Sequence, residues 1–533
     1  MSSNKISKIL TNRWRYFNHI SKNKNRNAII LDIINSGMLI TYLSNMDIFV
    51  ENQYKLFYAD ADVTGTKVTI FLEFYKSFGY GDVVIGYKCL KNLREYLPPN
   101  IELVVVTSTI NDVKRIAGDY IQKKQIPMIK TEDILDVVKN MDYSHAYLIT
   151  FALETEICLE VHQMLKNRTM YVDEYNGWRA NDISTKYLIV PGFGLQDNQL
   201  TSGINIYKNT EINIHKGFRN PNYYFGYISE EHAKTETLYK YLMYIILLNK
   251  NSGKKIDIVL LIPNPDIENI IFSLNKGIYC DVDSENLSSS VPNTSKKITE
   301  STPSELLKLD IHFEGVYTPE IDVVVIKDVS NNIQITIHKY MQHDMVLSRM
   351  KNSQEPILVT GDQSMSEAIS LGKLFFYELQ DWKIDLYKNF LDYCKFVLPR
   401  NTALHYFLDN SSNVNTLSEN RLDKVIQDLV SKTKRSDLSR YMKTISDHIK
   451  DNMDLSMDLV ATVKMMLVGT DKNNNHFKQL TKQIIQSNDS SSSNPRKRNV
   501  SISKSSSSKR QKVTTQSSKN DSESLSEMFC SIC

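Results

Sequence analysis

Two short stretches hold side chains of the right type and spacing to do chemistry. The first is V-T-G-D-Q-S-M-S-E-A-I, residues 359–369. A buried-strand run ends at Thr360, Gly361 follows, and acid, amide and hydroxyl groups open a helical pattern. A helix that starts beyond the carboxyl end of a strand presents unpaired backbone N–H groups and a positive dipole end, which suit a phosphate or diphosphate. Gly361 would let the backbone approach a ligand closely, with Gln363, Ser364 and Met365 as the amide donors. Glu367, just inside the helix, could accept hydrogen bonds from ribose hydroxyls. The same residues support a plainer reading. Ser364 to Glu367 is S-x-x-E, the pattern of a capping box, and Asp362 can cap the turn. Spacing alone leaves both readings open. The second stretch is F-Y-K-S-F-G-Y-G-D-V-V-I, residues 74–85, in which Gly79 and Gly81 permit a tight turn between a strand and a helix. Asp82 is then either a general base at the mouth of the sheet or an ordinary N-cap. The stretch lacks the third glycine of a dinucleotide fingerprint and the Lys-Ser/Thr pair of a phosphate loop.

Fewer residues suggest metal chemistry. Among six cysteines (Cys89, Cys158, Cys280, Cys394, Cys530 and Cys533) the first four show no ligand spacing, which fits reduced thiols. Asp60 and Asp62 have D-x-D spacing but precede the first core strand and read as loop. No metal and no bound cofactor are expected. His215, His338 and His343 remain as titratable candidates; His343-Asp344 opens a helix, either facing a nucleotide or forming a solvated helix start.

These residues need elements to position them. From residue 67, strand and helix patterns alternate: K-V-T-I-F-L-E-F-Y and I-E-L-V-V-V-T are buried runs, and residues 82–97 form an amphipathic helix between them. Strands are expected again at 144–152, 169–175 and 186–194. A second series begins at N-Y-Y-F-G-Y-I, with a long helix after Ser229, a strand at 254–263, a helix at 266–275, and strands at 311–317, 321–326 and 332–339. Such alternation predicts an α/β protein with two doubly wound, Rossmann-like domains. The expected divisions of the 533 residues are a basic extension at 1–65, a first α/β domain at 66–220, a second at 221–400 with a polar loop at 281–305, a helical appendix at 401–484 and a disordered Ser/Lys/Arg-rich tail at 485–533. The first 31 residues carry seven bases and no acid, which reads as a solvated basic arm or helix.

Taken together, the G-x-G-D turn after the first strand and V-T-G-D-Q-S-x-S-E-A-I-x-x-G-K-x-F-F-Y-E at 359–378 resemble the GT-B glycosyltransferases, over roughly residues 66–400. The resemblance implies a nucleotide-sugar co-substrate held by the second domain and an acceptor, such as a protein, presented by the first. It implies donor contacts from Gly361, Asp362, Gln363, Ser364 and Glu367, with Tyr227 and His343 beside the base or sugar. It implies an acceptor-side loop at Gly79 and Gly81, with Asp82 as catalytic base, and a basic group such as Lys339 or Lys373 near the diphosphate. Pro191–Gln196 would lie on the cleft side of the first domain. Two other readings use the same fold: a non-catalytic scaffold, or a nucleotide-sugar epimerase that needs no acceptor.

Net charge is +3, so a nucleic-acid partner is not expected. The longest apolar run, Tyr241 to Leu248, is far short of a membrane span. The chain reads as cytoplasmic. It ends Cys530-Ser531-Ile532-Cys533 behind the basic residues 496–498 and 509–512. Three readings of this tail stand: a prenylated Cys530 with a basic patch anchoring the chain to a membrane, a bipartite nuclear import signal, or an inert tail. On a bacterial chain the first would resemble an effector lipidated in a host-cell cytosol.

Overall fold

The computed structural model describes residues 12, 15, 16, 19, 67–75, 81–151, 155–173, 187–196, 199–207, 223–228, 236–249, 252–263, 265, 314–318, 323–328, 332–412, 422–432 and 435–470. Gly79, Asp60, Asp62, His215, the 281–305 loop, the tail with Cys530 and most of the basic extension lie outside them.

The first sheet has six strands: β1 (Val68–Glu73), β2 (Ile101–Thr107), β3 (Met128–Lys130), β4 (Ala146–Thr150), β5 (Thr169–Val172) and β6 (Tyr187–Ile189). All pairings are parallel and the order is β3-β2-β1-β4-β5-β6, the doubly wound Rossmann order. Parallel strands are covered on both faces, so their side chains alternate between two apolar layers. Ile70, Leu72, Leu103, Val105 and Ile149 join one layer; Phe71, Val104, Val106 and Leu148 join the other. The first layer is closed by α1 (Gly81–Tyr96) and α2 (Ile110–Lys123), the second by α3 (Ile134–Lys139) and α4 (Leu159–Met164).

After a small hairpin, β7 (Leu195–Gln196) and β8 (Gln199–Leu200), the chain enters the second sheet. Its strands are β9 (Tyr223–Tyr227), β10 (Ile256–Leu261), β11 (Glu314–Thr318), β12 (Val323–Asp328), β13 (Ile333–His338), β14 (Gln354–Thr360) and β15 (Phe375–Glu378). The parallel part, β13-β10-β9-β14-β15, repeats the winding of the first sheet. The two doubly wound sheets give the protein a GT-B-like α/β architecture, with one correction. β11 and β12 are antiparallel additions at the edge. The short connection from β12 to β13, with Asn332 at φ 54°, permits a hairpin but no crossover.

Helices α5 (Glu236–Asn249), α6 (His343–Asn352), α7 (Gly361–Leu371) and α8 (Ile384–Val397) accompany this sheet, followed by α9 (Thr402–Asn410), α10 (Leu422–Lys432), α11 (Arg435–Asn452) and α12 (Leu455–Thr470). The last of these does not stand apart as an appendix. Leu455, Leu459, Val460, Val463 and Met466 of α12 are buried in the first sheet's core. The basic extension is not wholly solvated either: Tyr16 is buried, its ring 4.7 Å from that of Tyr393.

Two chain crossings join the lobes side by side. Ile204 N–H donates to Met453 O (2.9 Å) and Leu455 N–H to Ile204 O (3.0 Å), a parallel bridge between outgoing and returning segments. The Pro191–Gln196 segment packs here: Phe193 lies 5.5 Å and 5.4 Å, ring to ring, from Phe390 and Tyr393 of α8.

Candidate functional site

In open α/β sheets, ligands sit beyond the carboxyl ends of the strands. β14 ends there at Thr360, and Gly361 turns the chain into α7 with φ +73°. A Cβ at Gly361 would meet nothing within 4 Å, so it is the left-handed backbone, not crowding, that calls for glycine. The predicted capping box does not form. α7 begins at Gly361, so Ser364 is already inside the helix and its hydroxyl donates back to Thr360 O, while Thr360 caps with no side-chain bond. The amide donors shift accordingly: those of Ser364 and Met365 are spent in the helix ladder, and residues 361–363 are the ones without an intrahelical acceptor. Asp362 Oδ1 takes the Gln363 N–H (2.8 Å) and its Oδ2 takes Lys383 Nζ (3.0 Å).

Lys383 is thus the basic group at this turn, and sequence reasoning missed it. Lys373, proposed for that place, lies past the far end of α7, bonded to Ser353 O at 2.7 Å. Lys339 lies at the carboxyl edge of the sheet, one residue beyond β13. So does Tyr227, which ends β9 one residue past Gly226, the partner of Leu358 in β14. His338, the last residue of β13, is held below the usual histidine range by burial and by the charge of Arg349.

Glu367 is 3% exposed and already engaged. Its Oε1 accepts from His343 Nε2 at 2.7 Å and from Gln363 Nε2 at 3.1 Å. Gln363 Nε2 also donates to Tyr207 Oη at 2.8 Å, and the Tyr207 ring lies 5.9 Å from that of His343, tilted by 54°. Tyr207, on the crossing between lobes, had no signal beyond an aromatic residue in a polar linker. His343 Nδ1 and Gln363 Oε1 are buried without a hydrogen-bond partner among the described residues.

Across from α7 stands α1, and the two helices pack together. Asp82 is buried in the first turn of α1, and Gly81 opens it with nothing within 4 Å of a Cβ. Lys88, two turns on, places its Nζ 4.7 Å over the Tyr207 ring. At the rim, the Arg115 guanidinium of α2 lies 3.8 Å over the Tyr340 ring.

One buried titratable group escaped the sequence reading. Glu73, the last residue of β1, is the register partner of Thr150 in β4, at the point where the strand order reverses. Its carboxylate accepts from the Thr155 hydroxyl (2.8 and 2.9 Å) and from the N–H groups of Glu156 (2.9 Å) and Ile157 (3.3 Å). Burial pushes its carboxyl up to about 7 in spite of those bonds. His162 Nε2 lies 3.2 Å from the Thr155 hydroxyl, and burial holds that imidazole down. A raised carboxyl favours folding most below its unfolded value near 4.5, and the benefit is lost as pH rises through about 7. Stability should therefore fall by about 2–3 kcal/mol across that window. Glu73→Gln keeps the acceptor oxygen and should flatten that slope, leaving the variant the more stable one at pH 8 in thermal melts. Parallel curves for the two proteins would refute this.

No protein-family model matches the chain, and no curated protein matches it. Solved structures do. A glycosyltransferase from Rickettsia africae is similar at 11% identity and TM-score 0.38, over 77% of this chain and 100% of its own. The UDP-GlcNAc 2-epimerase of Neisseria meningitidis, bound to UDP-GlcNAc, is similar at 11% and 0.39, over 76% and 99%. The glycosyltransferase VinC in complex with dTDP is similar at 8% and 0.33, over 75% and 99%. Among the described residues no group of three or more His, Cys, Asp or Glu side chains could hold a metal ion, and no helix is long and apolar enough to cross a membrane.

Proposed function

We propose that the protein is a glycosyltransferase that moves a sugar from a nucleotide-diphosphate donor to a hydroxyl-bearing acceptor, such as a protein. The observation that carries the reading is the Gly361 turn. It puts the first amides of α7 and the Asp362–Lys383 pair at the carboxyl edge of the second sheet, on a helix that packs against α1. In this reading the Gly361 and Asp362 amides and Lys383 take the charge that grows on the leaving diphosphate. Asp82 takes the acceptor's proton while the acceptor oxygen bonds to the anomeric carbon and the sugar–phosphate bond breaks. Glu367, its Oε1 fixed by His343 and Gln363, offers its other oxygen to the ribose. Tyr227 lines the donor end of the cleft.

Titration calorimetry of the full chain with UDP-, GDP-, dTDP- and CMP-sugars tests this. We expect binding of one nucleotide class, weakened at least tenfold in Gly361→Val, whose Cβ cannot adopt the required backbone without strain. Binding with sugar isomerisation and no acceptor would identify an epimerase instead. No binding of any donor would favour a scaffold.

A further inference from the structure

At the last rung of β1, where the strand order of the first sheet reverses, Glu73 begins a chain of three side chains that ends on α4. Its two carboxylate oxygens differ. Oε1 accepts from the N–H groups of Glu156 (2.9 Å) and Ile157 (3.3 Å) as well as from the Thr155 hydroxyl (2.9 Å), whereas Oε2 meets the Thr155 hydroxyl alone, at 2.8 Å. Thr155 Oγ1 in turn lies 3.2 Å from His162 Nε2 and accepts the Ile157 N–H at 3.1 Å. Glu73 is buried, while Thr155 and His162 are half-buried, so the chain leads from a buried carboxyl toward the surface. The titratable groups beside Glu73 are Glu156 in the loop, Tyr171 on β5 and, through Thr155, His162 on α4; β2 sets Val106 next to it and β4 sets Thr150.

A threonine hydroxyl has one proton to give and can accept two bonds. With Glu73 ionised, Thr155 donates to the carboxylate and accepts from Ile157 N–H and from a hydrogen on His162 Nε2. With Glu73 neutral, its proton belongs on Oε2, because the backbone donors hold Oε1. Thr155 then accepts from Oε2–H and donates to a bare Nε2, and the Ile157 N–H stays where it is. Both states satisfy every group in the chain, and no heavy atom has to move between them. We propose that Glu73, Thr155 and His162 form a proton relay that loads and unloads the buried carboxyl from solvent. In loading, one proton arrives at His162 Nδ1, the Nε2 proton passes to Thr155 Oγ1, and the Thr155 proton passes to Glu73 Oε2. Atoms and charge balance: the imidazole stays neutral and changes tautomer, the hydroxyl is restored, and the carboxylate is neutralised. The acidities suit this. Burial pushes the Glu73 carboxyl up to about 7, so it changes state near neutral pH, and burial holds His162 low enough to stay neutral there. In open α/β sheets a ligand sits beyond this edge of the strands, at the switch point. A carboxyl refilled through the protein could give such a ligand a proton, or take one, repeatedly. The relay does not depend on the transferase reading.

The test is nitrogen NMR of the full-length chain carrying isotopically labelled histidine, with the His162 ring signals identified by their loss in His162→Gln. The two neutral tautomers and the imidazolium each give a distinct pair of ring-nitrogen shifts. His162 is expected to change from mainly Nδ1–H at about pH 6 to mainly Nε2–H at about pH 8, a shift of about tenfold in the tautomer ratio, with imidazolium appearing only at lower pH. Glu73→Gln, whose amide always donates to Thr155, should hold the Nδ1–H form across that range. Thr155→Val cuts the chain and should abolish the pH dependence of the tautomer, and Thr155→Ser should restore it. A purely structural role for Thr155 would not produce that pattern, and circular dichroism checks that each variant folds. One tautomer throughout the range overturns the proposal. So does a direct change from Nε2–H to imidazolium, or a tautomer shift that survives Thr155→Val. Nucleotide-sugar binding enters none of these outcomes, so the relay and the transferase reading stand or fall separately.

Discussion

Glu367→Ala should lower stability by about 3 kcal/mol, far more than Glu367→Gln at about 1 kcal/mol. The carboxylate is buried and is the acceptor that serves the His343 Nε2–H and one of the two bonds from Gln363 Nε2. Alanine takes the acceptor away from the His343 Nε2 position and leaves a void in the α6–α7 contact, so the cost is desolvation without compensation. Glutamine keeps an acceptor oxygen in the same place. Urea denaturation of the parent and both variants measures the ordering. The double variant Glu367→Ala with His343→Leu should recover part of the loss, because removing both partners costs less than stranding one. If Glu367→Ala melts with the parent, the pair contributes nothing and the positioning of His343 must come from elsewhere. Glu367→Gln serves a second purpose. A variant that keeps its fold but loses nucleotide-sugar binding would place the ribose contact on the other carboxylate oxygen.

How far the sequence could be read follows from which forces act locally. Parallel strands covered on both faces become unbroken apolar runs, so I-E-L-V-V-V-T and I-D-I-V-L-L were legible as β2 and β10. The three residues of β3 are too few to show a period, and Pro127 precedes them. The direction of β11 and β12 is set by how the sheet closes, and β-branched residues favour an antiparallel strand as readily as a parallel one. α12 is apolar nearly all round, which marks a buried helix but does not say against what it is buried. Its place in the first sheet's core depends on the chain returning across the lobes, which no local pattern encodes. At the site, the strand–glycine–helix turn was visible because it is local. The partners that define its chemistry were not. His343 lies 24 residues from Glu367, Tyr207 lies 156 residues from Gln363, and Lys383 lies 21 from Asp362. Glu73 was hidden at the end of an apolar run, where a single acid reads as the edge of a strand.

The crossing between lobes sets the sharpest steric demand among the described glycines, and Gly203→Ala should test it with a loss of about 4 kcal/mol. Gly203 sits at φ +90°, and a Cβ there would come within 2.2 Å of Met453 O and 2.6 Å of Met453 C. Both obstacles are backbone, so no rotamer change relieves them. To admit the methyl group the outgoing segment must move away from the returning one. That motion breaks the bonds from Ile204 N–H to Met453 O and from Leu455 N–H to Ile204 O, and it disturbs the bond from Gly192 N–H to Gly203 O. Positive-φ strain in alanine adds about 1–2 kcal/mol to these losses. The consequence is not confined to the linker. α12 starts at Leu455, so displacing the returning segment pulls on a helix that fills the first sheet's core. Calorimetry should therefore show the first lobe melting earlier, although the substitution touches none of its strands. Gly253→Ala is the matched control: it shares a positive φ of +61° but has nothing within 4 Å of a Cβ, so it should cost only the backbone strain. If both variants lose the same stability, the close approach at Met453 is relieved by small shifts and the crossing is softer than its geometry implies. If only Gly203→Ala is strongly destabilised, the hydrogen-bonded crossing is what couples the two lobes, and any opening of the cleft must pivot about it.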